Sequence, residues 1–183
     1  LSNHPNLTNL DYSNNNLPNL DLSSLTGLKT LGFAATQTTT MDLSNMTNLE
    51  SLACGFNQLT TIDVSHCTRL QYLTCQNNTL STLFLKNGIN ESLLDFSGNP
   101  TLQYICADDN QVQSIQTQLN SLGMNGTVCN SYCSFTPGGN HNTITGITIF
   151  DANNDGCDVT DVVNPFIRLN VTDGSLNGAT VTN

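Results

Sequence analysis

The stretch LESLACGFNQLTTIDVSHCTRLQYLTCQNNTL, residues 49–80, contains one pattern of residues twice. Leu-x-x-Leu-x-Cys-x-x-Asn begins at Leu49 and begins again 21 residues later, at Leu70. The same spacing continues towards the N-terminus, where equivalent segments begin at Leu7 and Leu28. The chain is therefore repetitive. We call these segments coils 1 to 4 and number the positions in each coil from its first leucine.

Apolar residues and asparagines recur at fixed positions in the coils. Position four is Leu10, Leu31, Leu52 and Leu73, position six is Tyr12, Phe33, Cys54 and Cys75, and position nine is Asn15, Thr36, Asn57 and Asn78. Positions fourteen and sixteen are also apolar in every coil. A fixed period of about 20 to 29 residues with this pattern is typical of a leucine-rich repeat.

The spacing within a coil predicts short strands. Positions four and six alternate, so their side chains leave the same face of a strand. One such strand cannot bury its apolar face alone, but coils stacked in register form a parallel sheet over a continuous core. Positions fourteen and sixteen indicate a second extended run on the opposite side of each coil. The sequence thus predicts a mainly β leucine-rich-repeat solenoid with repeats of about 21 residues.

The repeat becomes irregular after coil 4. A fifth coil begins at Glu91, and its Phe96 and Asn99 stand at positions six and nine. Leu102 then fits position one of another coil only 11 residues later. We therefore expect coil 5 to lack its second half. Counted backwards, Leu1 falls at position sixteen of a coil, so further repeats are expected before it.

The repeats are expected to end in a helical cap. The segment SIQTQLNSLGMNG has apolar residues at helical spacing, with Ser114 as an N-cap and Gly123 as a stop. The solenoid with its cap is assigned to residues 1–128 and a turn-rich linker to 129–142. From there TITGITIFD and NPFIRLNVTDG alternate with period two. Residues 143–183 are therefore expected to begin a β-sandwich domain that is truncated.

Composition excludes some classes of function. The chain has 183 residues, a formal net charge of −10 and four lysines and arginines, so no basic patch for nucleic acid is expected. No apolar run has the length of a membrane span. Low charge with abundant Asn, Thr and Ser suits a secreted or cell-surface protein.

Seven cysteines cannot all pair with one another. Cys54 and Cys75 stand at position six of adjacent coils, where two buried thiols are favoured over a bridge. Cys67 lies in a connection and is expected to be free. Cys106 is placed at position five, facing outward. Zinc is a rival interpretation for the later cysteines, although their spacing fits a zinc ligand set poorly.

With its motifs NPTLQYICADDN, YCSFTPGGNHNTITG and FDANNDGCDVTD, the chain resembles secreted leucine-rich-repeat surface proteins of the Bacteroidota. The last segment is similar to Cna-B-like modules, which are prealbumin-type β-sandwiches. The resemblance implies export by the type nine secretion route. It also favours a disulfide between Cys133 and Cys157, which would pin the linker to the β domain. A bond from Cys106 to Cys129 is the second choice.

The segment FDANNDGCDVTD also indicates calcium. Asp151, Asn153 and Asp155 stand at alternate positions before a glycine, and Asp158 and Asp161 follow. Crowded carboxylates repel unless a hard cation with oxygen ligands sits among them. The opening matches an EF-hand loop, but the ending does not, and the loop is closer to the calcium loops of Cna-B-like modules. A structural Ca²⁺ bound by these five side chains is predicted, and a solvated turn is the alternative.

A binding surface is predicted on the outward positions of the strands. Tyr72, Gln76, Tyr104 and Asp108 fall there, and two tyrosines on a polar sheet could anchor an extracellular protein or glycan. Ordinary solvated strand residues are the alternative interpretation. The predicted function is adhesion-type binding at the cell surface, and a purely structural spacer is the rival hypothesis.

No motif predicts an enzyme. His4, His66 and His141 lie in separate segments, and none stands beside a nucleophile in a recognisable catalytic pattern. The sequence also lacks metal-protease and phosphate-loop motifs.

Overall fold

The computed structural model describes residues 4, 6–131, 133, 149–150, 162–163, 168–172 and 177–181. The chain divides into two compact units, Leu1–Cys133 and Ser134–Asn183. The boundary that the sequence predicted after residue 128 falls inside a strand of the first unit, Val128–Asn130.

Short parallel strands form two sheets in the first unit. The elements in chain order are β1 (Asn9–Asp11), β2 (Thr30–Gly32), β3 (Ser51–Ala53), β4 (Thr61–Asp63), β5 (Tyr72–Thr74), β6 (Thr82–Phe84), β7 (Leu93–Asp95), β8 (Tyr104–Cys106), α1 (Val112–Ser121) and β9 (Val128–Asn130). The front sheet has the order β1-β2-β3-β5-β7, and the back sheet has the order β4-β6-β8-β9. The predicted mainly β solenoid with a short helix near its C-terminal end is confirmed.

The register of the front sheet is the sequence repeat itself. Leu10 pairs with Leu31, Leu31 with Leu52, and Leu52 with Leu73, so each coil lies directly over the next. The side chains at positions one, four and six turn inward and are buried from coil 2 to coil 4. Cys54 and Cys75 are buried free thiols, as expected. Cys67 is also free, but it is fully buried at the position that Leu25 and Met46 fill in earlier coils.

Three of the asparagines at position nine join neighbouring coils. The Asn78 side-chain Nδ2 donates to the carbonyl of Cys75 in its own coil at 3.1 Å and to that of Cys54 in the coil before at 3.0 Å. Its Oδ1 accepts from the Leu59 N–H of the preceding coil at 3.0 Å. Asn57 and Asn99 repeat this arrangement. One amide therefore satisfies three buried backbone groups at a turn where no strand can do so.

Coil 5 has the second half that the sequence appeared to lack, so that prediction was wrong. Leu83 pairs with Ile105 in the back sheet, an offset of 22 residues, and β8 is therefore the second strand of coil 5. Two residues, Pro100 and Thr101, stand between Asn99 and Leu102, where coil 4 has only Thr79. The extra residue moved Leu102 into a false match with position one.

The end of helix α1 follows the sequence, but its start does not. Gly123 has a φ of +70° just after the helix, and Gly123 and Met124 donate backbone hydrogen bonds to Asn120 and Leu119. This is the double hydrogen bond of a glycine-terminated helix. Ser114 lies inside the helix and is not its N-cap, since the hydroxyl donates to the Gln111 carbonyl at 2.8 Å.

The helix closes the core of the last coil. Ile115 and Leu119 are buried against it, whereas Leu122 is exposed. At the open edge of β7, the Gln118 side chain donates to the Leu94 carbonyl at 3.0 Å. The helix thus covers apolar side chains and also satisfies a backbone acceptor that the next strand would otherwise take.

One disulfide is present in the described part of the chain, and it joins Cys106 to Cys133 with Cα atoms 5.2 Å apart. The predicted bond between Cys133 and Cys157 was therefore wrong, because Cys133 is already paired. The second choice was also wrong, since Cys129 is a buried free thiol. The sequence placed Cys106 at an outward position on the first strand of a new coil. In the structure it lies in β8 of the back sheet, near the end of the first unit and within reach of Cys133.

The second unit contains β10 (Ile149–Phe150), β11 (Val162–Val163), β12 (Arg168–Thr172) and β13 (Asn177–Val181). They form two antiparallel pairs, β10 with β11 and β12 with β13. Strands β10 and β12 lie in the two segments for which alternation predicted strands. Among the described residues, no helix is long and apolar enough to cross a membrane.

We expect Asn78→Ala to lower the free energy of unfolding by about 3 kcal/mol, because it leaves buried backbone donors and acceptors unpaired. Asn15→Ala is the matched control. Asn15 is exposed, and among the described residues its side chain bonds only carbonyls of its own coil, those of Tyr12 and Ser13, so a smaller loss is expected. Urea denaturation followed by circular dichroism measures both. Equal losses in the two variants would contradict the bridging role of Asn78.

Candidate functional site

The outward surface of the five-stranded front sheet, here called the front face, is a regular surface of the first unit. It consists of positions three, five and seven of the coils: Asn9, Asp11, Ser13; Thr30, Gly32, Ala34; Ser51, Ala53, Gly55; Tyr72, Thr74, Gln76; and Leu93, Asp95, Ser97. Small side chains dominate its middle. Larger side chains stand on its last two strands.

Tyr72 and Leu93 form an exposed apolar pair on the front face. They are direct partners in the register of β5 and β7, and their exposed fractions are 47% and 48%. Neighbouring strands of a sheet lie about 4.8 Å apart, so paired residues on one face are close neighbours. An aromatic and an aliphatic side chain thus present one continuous apolar spot on a sheet that is otherwise small and polar.

Tyr104 is not part of this surface, which corrects the predicted tyrosine pair. It lies in β8 of the back sheet and is fully buried. Its hydroxyl donates to the Asn130 side chain at 2.6 Å, and its ring meets Phe84 edge-on at 6.5 Å. The reason is again the extra residue of coil 5, because Leu93 and not Tyr104 is the true neighbour of Tyr72.

Gln76 is on the front face, as predicted, and lies across the backbone of Gly55. A Cβ on Gly55 would come within 2.8 Å of the Gln76 side-chain carbonyl, and the Asp11 carboxylate covers Gly32 at the same distance. The buried Gln76 Oε1 has no hydrogen-bond partner among the described residues. The glycines therefore leave room for the Asp11 and Gln76 side chains over the middle of the sheet.

Asp108, the fourth predicted binding residue, lies after β8 beside the helix. Its carboxylate accepts from the Gly88 N–H at 2.8 Å. It faces Glu91, which accepts hydrogen bonds from Asn87 at 3.1 Å and from Gln111. Burial raises the pKa of the Glu91 carboxyl, the hydrogen bonds oppose this, and Asp108 adds to it. This cluster joins the coils to the cap and is separate from the front face.

Phe56 is an exposed aromatic residue that the sequence interpretation missed. Its exposed fraction is 58%, and its φ is +58°, a left-handed conformation that L residues rarely adopt. It stands at position eight, where Asn14, Ala35, Asn77 and Gly98 also have positive φ. The asparagines and the glycine at position eight were the sequence signal for a left-handed backbone, and they could have shown that Phe56 is a bulky residue in an unfavourable conformation.

The predicted calcium ligands Asp151, Asn153, Asp155, Asp158 and Asp161 lie outside the described residues. Within the described part of the chain, no group of three or more His, Cys, Asp or Glu side chains could hold a metal ion. The calcium site stays a prediction.

The thiols of the first unit are poor nucleophiles. Burial raises the pKa of Cys67 to about 11, with a further contribution from Asp63, and burial raises that of Cys129 to about 12. The pKa values of Cys54 and Cys75 are also raised, by burial first. Thiolate is the reactive form, so these cysteines act as core side chains.

Comparison with known proteins agrees with this architecture. Residues 47–87 match a family described as leucine-rich repeats in two copies. The functional domain of InlJ from Listeria monocytogenes, which includes a cysteine ladder, is similar at 31% identity and a TM-score of 0.52, over 58% of this chain and 26% of that one. A leucine-rich-repeat protein from Leptospira interrogans is similar in fold at 21% identity and a TM-score of 0.50, over 57% of this chain and 32% of that one.

Comparison with curated proteins gives no match. The chain spans 26% and 32% of the length of the two similar structures. Together with the stacked coils, these likenesses support a leucine-rich-repeat protein.

We expect Phe56→Asn to raise the free energy of unfolding by about 1 kcal/mol, because asparagine tolerates the left-handed conformation better than phenylalanine. Gln58→Asn is the control, since Gln58 is exposed nearby without a positive φ, and its effect should stay within about 0.5 kcal/mol. Urea denaturation compares the variants. A less stable Phe56→Asn protein would show that the ring contributes packing that outweighs the backbone strain.

Glu91 should make stability depend on pH. The pKa of the Glu91 carboxyl is raised in the folded protein, so protonation of this group favours the folded state. The stability that the protonated group contributes is fully present below the ordinary pKa of 4.5 and is lost as pH rises through the raised pKa. Glutamine does not titrate. We therefore expect the free energy of unfolding of Glu91→Gln, relative to wild type, to increase as pH rises above 4.5.

Asp21→Asn should show the opposite trend. The backbone N–H of Ser23 lowers the pKa of Asp21, so the wild-type carboxylate stabilises the fold above its pKa and loses this effect in acid. Denaturation midpoints across the acid range measure both variants.

Midpoints of Glu91→Gln and wild type that change in parallel with pH would contradict the raised pKa of Glu91.

Proposed function

We propose that the protein is a non-enzymatic binding module that holds a protein partner against its front face. The observation that carries the proposal is the Tyr72–Leu93 pair. Half-exposed apolar side chains in register on adjacent strands offer area that a partner can bury. Leucine-rich-repeat folds commonly mediate protein binding, which supports the same conclusion.

The first unit offers binding features without a catalytic arrangement in its described part. Its thiols have raised pKa values, and the Ser65 hydroxyl and His66 Nδ1, 3.2 Å apart, lie on an exposed turn. An exposed pair in water lacks the preorganised surroundings of a catalytic site. Phe56 adds to the binding interpretation, because a strained and exposed aromatic residue often marks a functional surface.

The proposed location is the cell surface or the extracellular space, with a role in adhesion. The Cys106–Cys133 disulfide supports an oxidising compartment. The functional domain of InlJ includes a cysteine ladder, and Cys54 and Cys75, which stand at the same position of adjacent coils, are similar to such a column. Membership of the Bacteroidota type, the Cna-B-like module, export by the type nine route and the bound Ca²⁺ remain predictions from the resemblance and the sequence.

A selection from a random peptide library displayed on phage tests the proposal. We expect wild-type protein to enrich peptides that bind saturably, and Tyr72→Ser/Leu93→Ser to weaken them about tenfold or more. The control is Leu17→Ser/Leu122→Ser, which removes two apolar side chains of similar exposure, 47% and 42%, elsewhere on the first unit.

Three outcomes would overturn the proposal. Peptides that bind Tyr72→Ser/Leu93→Ser as tightly as they bind the control variant would place the binding site outside the Tyr72–Leu93 pair. The absence of any peptide that binds saturably would favour a structural spacer. A glycan panel run in parallel addresses the other partner class. Saturable glycan binding that requires Tyr72, without peptide binding, would replace the protein partner with a sugar.

A further inference from the structure

The front face carries negative charge beside its apolar pair. Asp95 stands two residues after Leu93 on β7, so both side chains lie on the same face. In the described part of the chain, Asp95 has no ion-pair partner. Its Oδ1 accepts only the backbone N–H of Ser97, at 3.0 Å. A carboxylate therefore stands next to an aromatic and an aliphatic side chain with capacity for another donor.

The remainder of the front face adds no compensating positive charge. Asp11 lies on β1, and its pKa is lowered by hydrogen bonds from Ser13, so it is ionised at neutral pH. Lys29 is paired with Glu50 at 3.2 Å, just before β2 and β3. Residues 1–133 contain nine Asp and Glu against three Lys and Arg, so the first unit repels anionic partners and attracts cationic ones.

The spacing on β7 matches an extended peptide. Residues two apart on a strand are separated by about 6.7 Å, and an extended partner segment repeats its side chains at the same interval. An apolar residue placed on Tyr72 and Leu93 brings the residue two positions away to Asp95. Arginine suits that place best, since its planar guanidinium pairs with a carboxylate through two hydrogen bonds and stacks on an aromatic ring.

We propose that the front face binds an extended basic segment of a protein partner, in which an apolar residue and an arginine or lysine stand two positions apart. The apolar residue packs on Tyr72 and Leu93, and the cation pairs with Asp95. This inference rests on the proposed function and adds the chemical class of the partner. The ion pair with Asp95 also makes the interaction sensitive to salt.

Two synthetic peptides test the inference. One is acetyl-Leu-Thr-Arg-Thr-Leu-Thr-Arg-amide, and the other has glutamate in place of each arginine. Nuclear magnetic resonance titrations follow the binding of each peptide to the full chain at low and high salt. We expect saturable binding of the arginine peptide, weakened by salt, with shifts centred on β5 and β7, and no binding of the glutamate peptide.

A matched pair of variants isolates the carboxylate. Asp95→Asn keeps an acceptor for the Ser97 N–H and should weaken the arginine peptide about five- to tenfold. Asp109→Asn makes the same change in net charge at an exposed position between β8 and α1 and should change binding less than about twofold. Tyr72→Ala should also weaken binding, since it removes the apolar contact.

The inference and the proposed function fail in different ways. Equal weakening by Asp95→Asn and Asp109→Asn would overturn the inference, because only net charge would then matter. Equal, Tyr72-dependent binding of both peptides would also overturn it and would leave the front face as a protein-binding surface without charge preference. Absence of binding by either peptide overturns the inference alone, since the peptide selection judges the proposed function independently.

Discussion

Coils 2 to 5 are joined by amide side chains at position nine, and the register of these coils depends on this contact. Three consecutive coils place Asn57, Asn78 and Asn99 so that each Nδ2 spans two carbonyls and each Oδ1 accepts from the previous coil. Hydrophobic burial is non-directional and would permit coils to slide. A buried amide with directional bonds to both coils fixes one register.

Fixing the register inside leaves the front face free to vary, apart from Gly32 and Gly55, which make room for Asp11 and Gln76. Strands of three residues give two side chains to the outside and one to the core, so the inner columns carry the fold while the outer columns carry little packing. Gly32, Ala53 and Tyr72 can therefore occupy neighbouring strands without disturbing the stack. A binding surface on such a sheet can change without a change in the core.

The sequence predicted those parts of the structure that depend on local spacing. The columns, the buried thiols at position six and the end of α1 at Gly123 all follow from residues close together in the chain. The prediction for coil 5 was wrong because one extra residue shifts the repeat spacing by one position. Only the pairing of β6 with β8 shows which residues of β8 correspond to those of coil 4. The predictions for Tyr104 and for the disulfide partner of Cys106 were wrong for the same reason, since both depend on whether β8 joins the front sheet or the back sheet.

The order of the cysteines along the chain has a consequence for oxidative folding. Cys54 and Cys75 become enclosed as coils 3 to 5 stack, whereas Cys106 and Cys133 belong to the last strands and the residues after them. In a stacked array each coil contacts only its neighbours, so stacking of coils 3 to 5 is enough to enclose the inner thiols. Stacking thus shields Cys54 and Cys75 from exchange without any contribution from the segment that carries Cys133, because disulfide exchange requires an accessible thiolate. Mispairing of Cys106 or Cys133 with these two thiols is therefore limited once the coils have stacked.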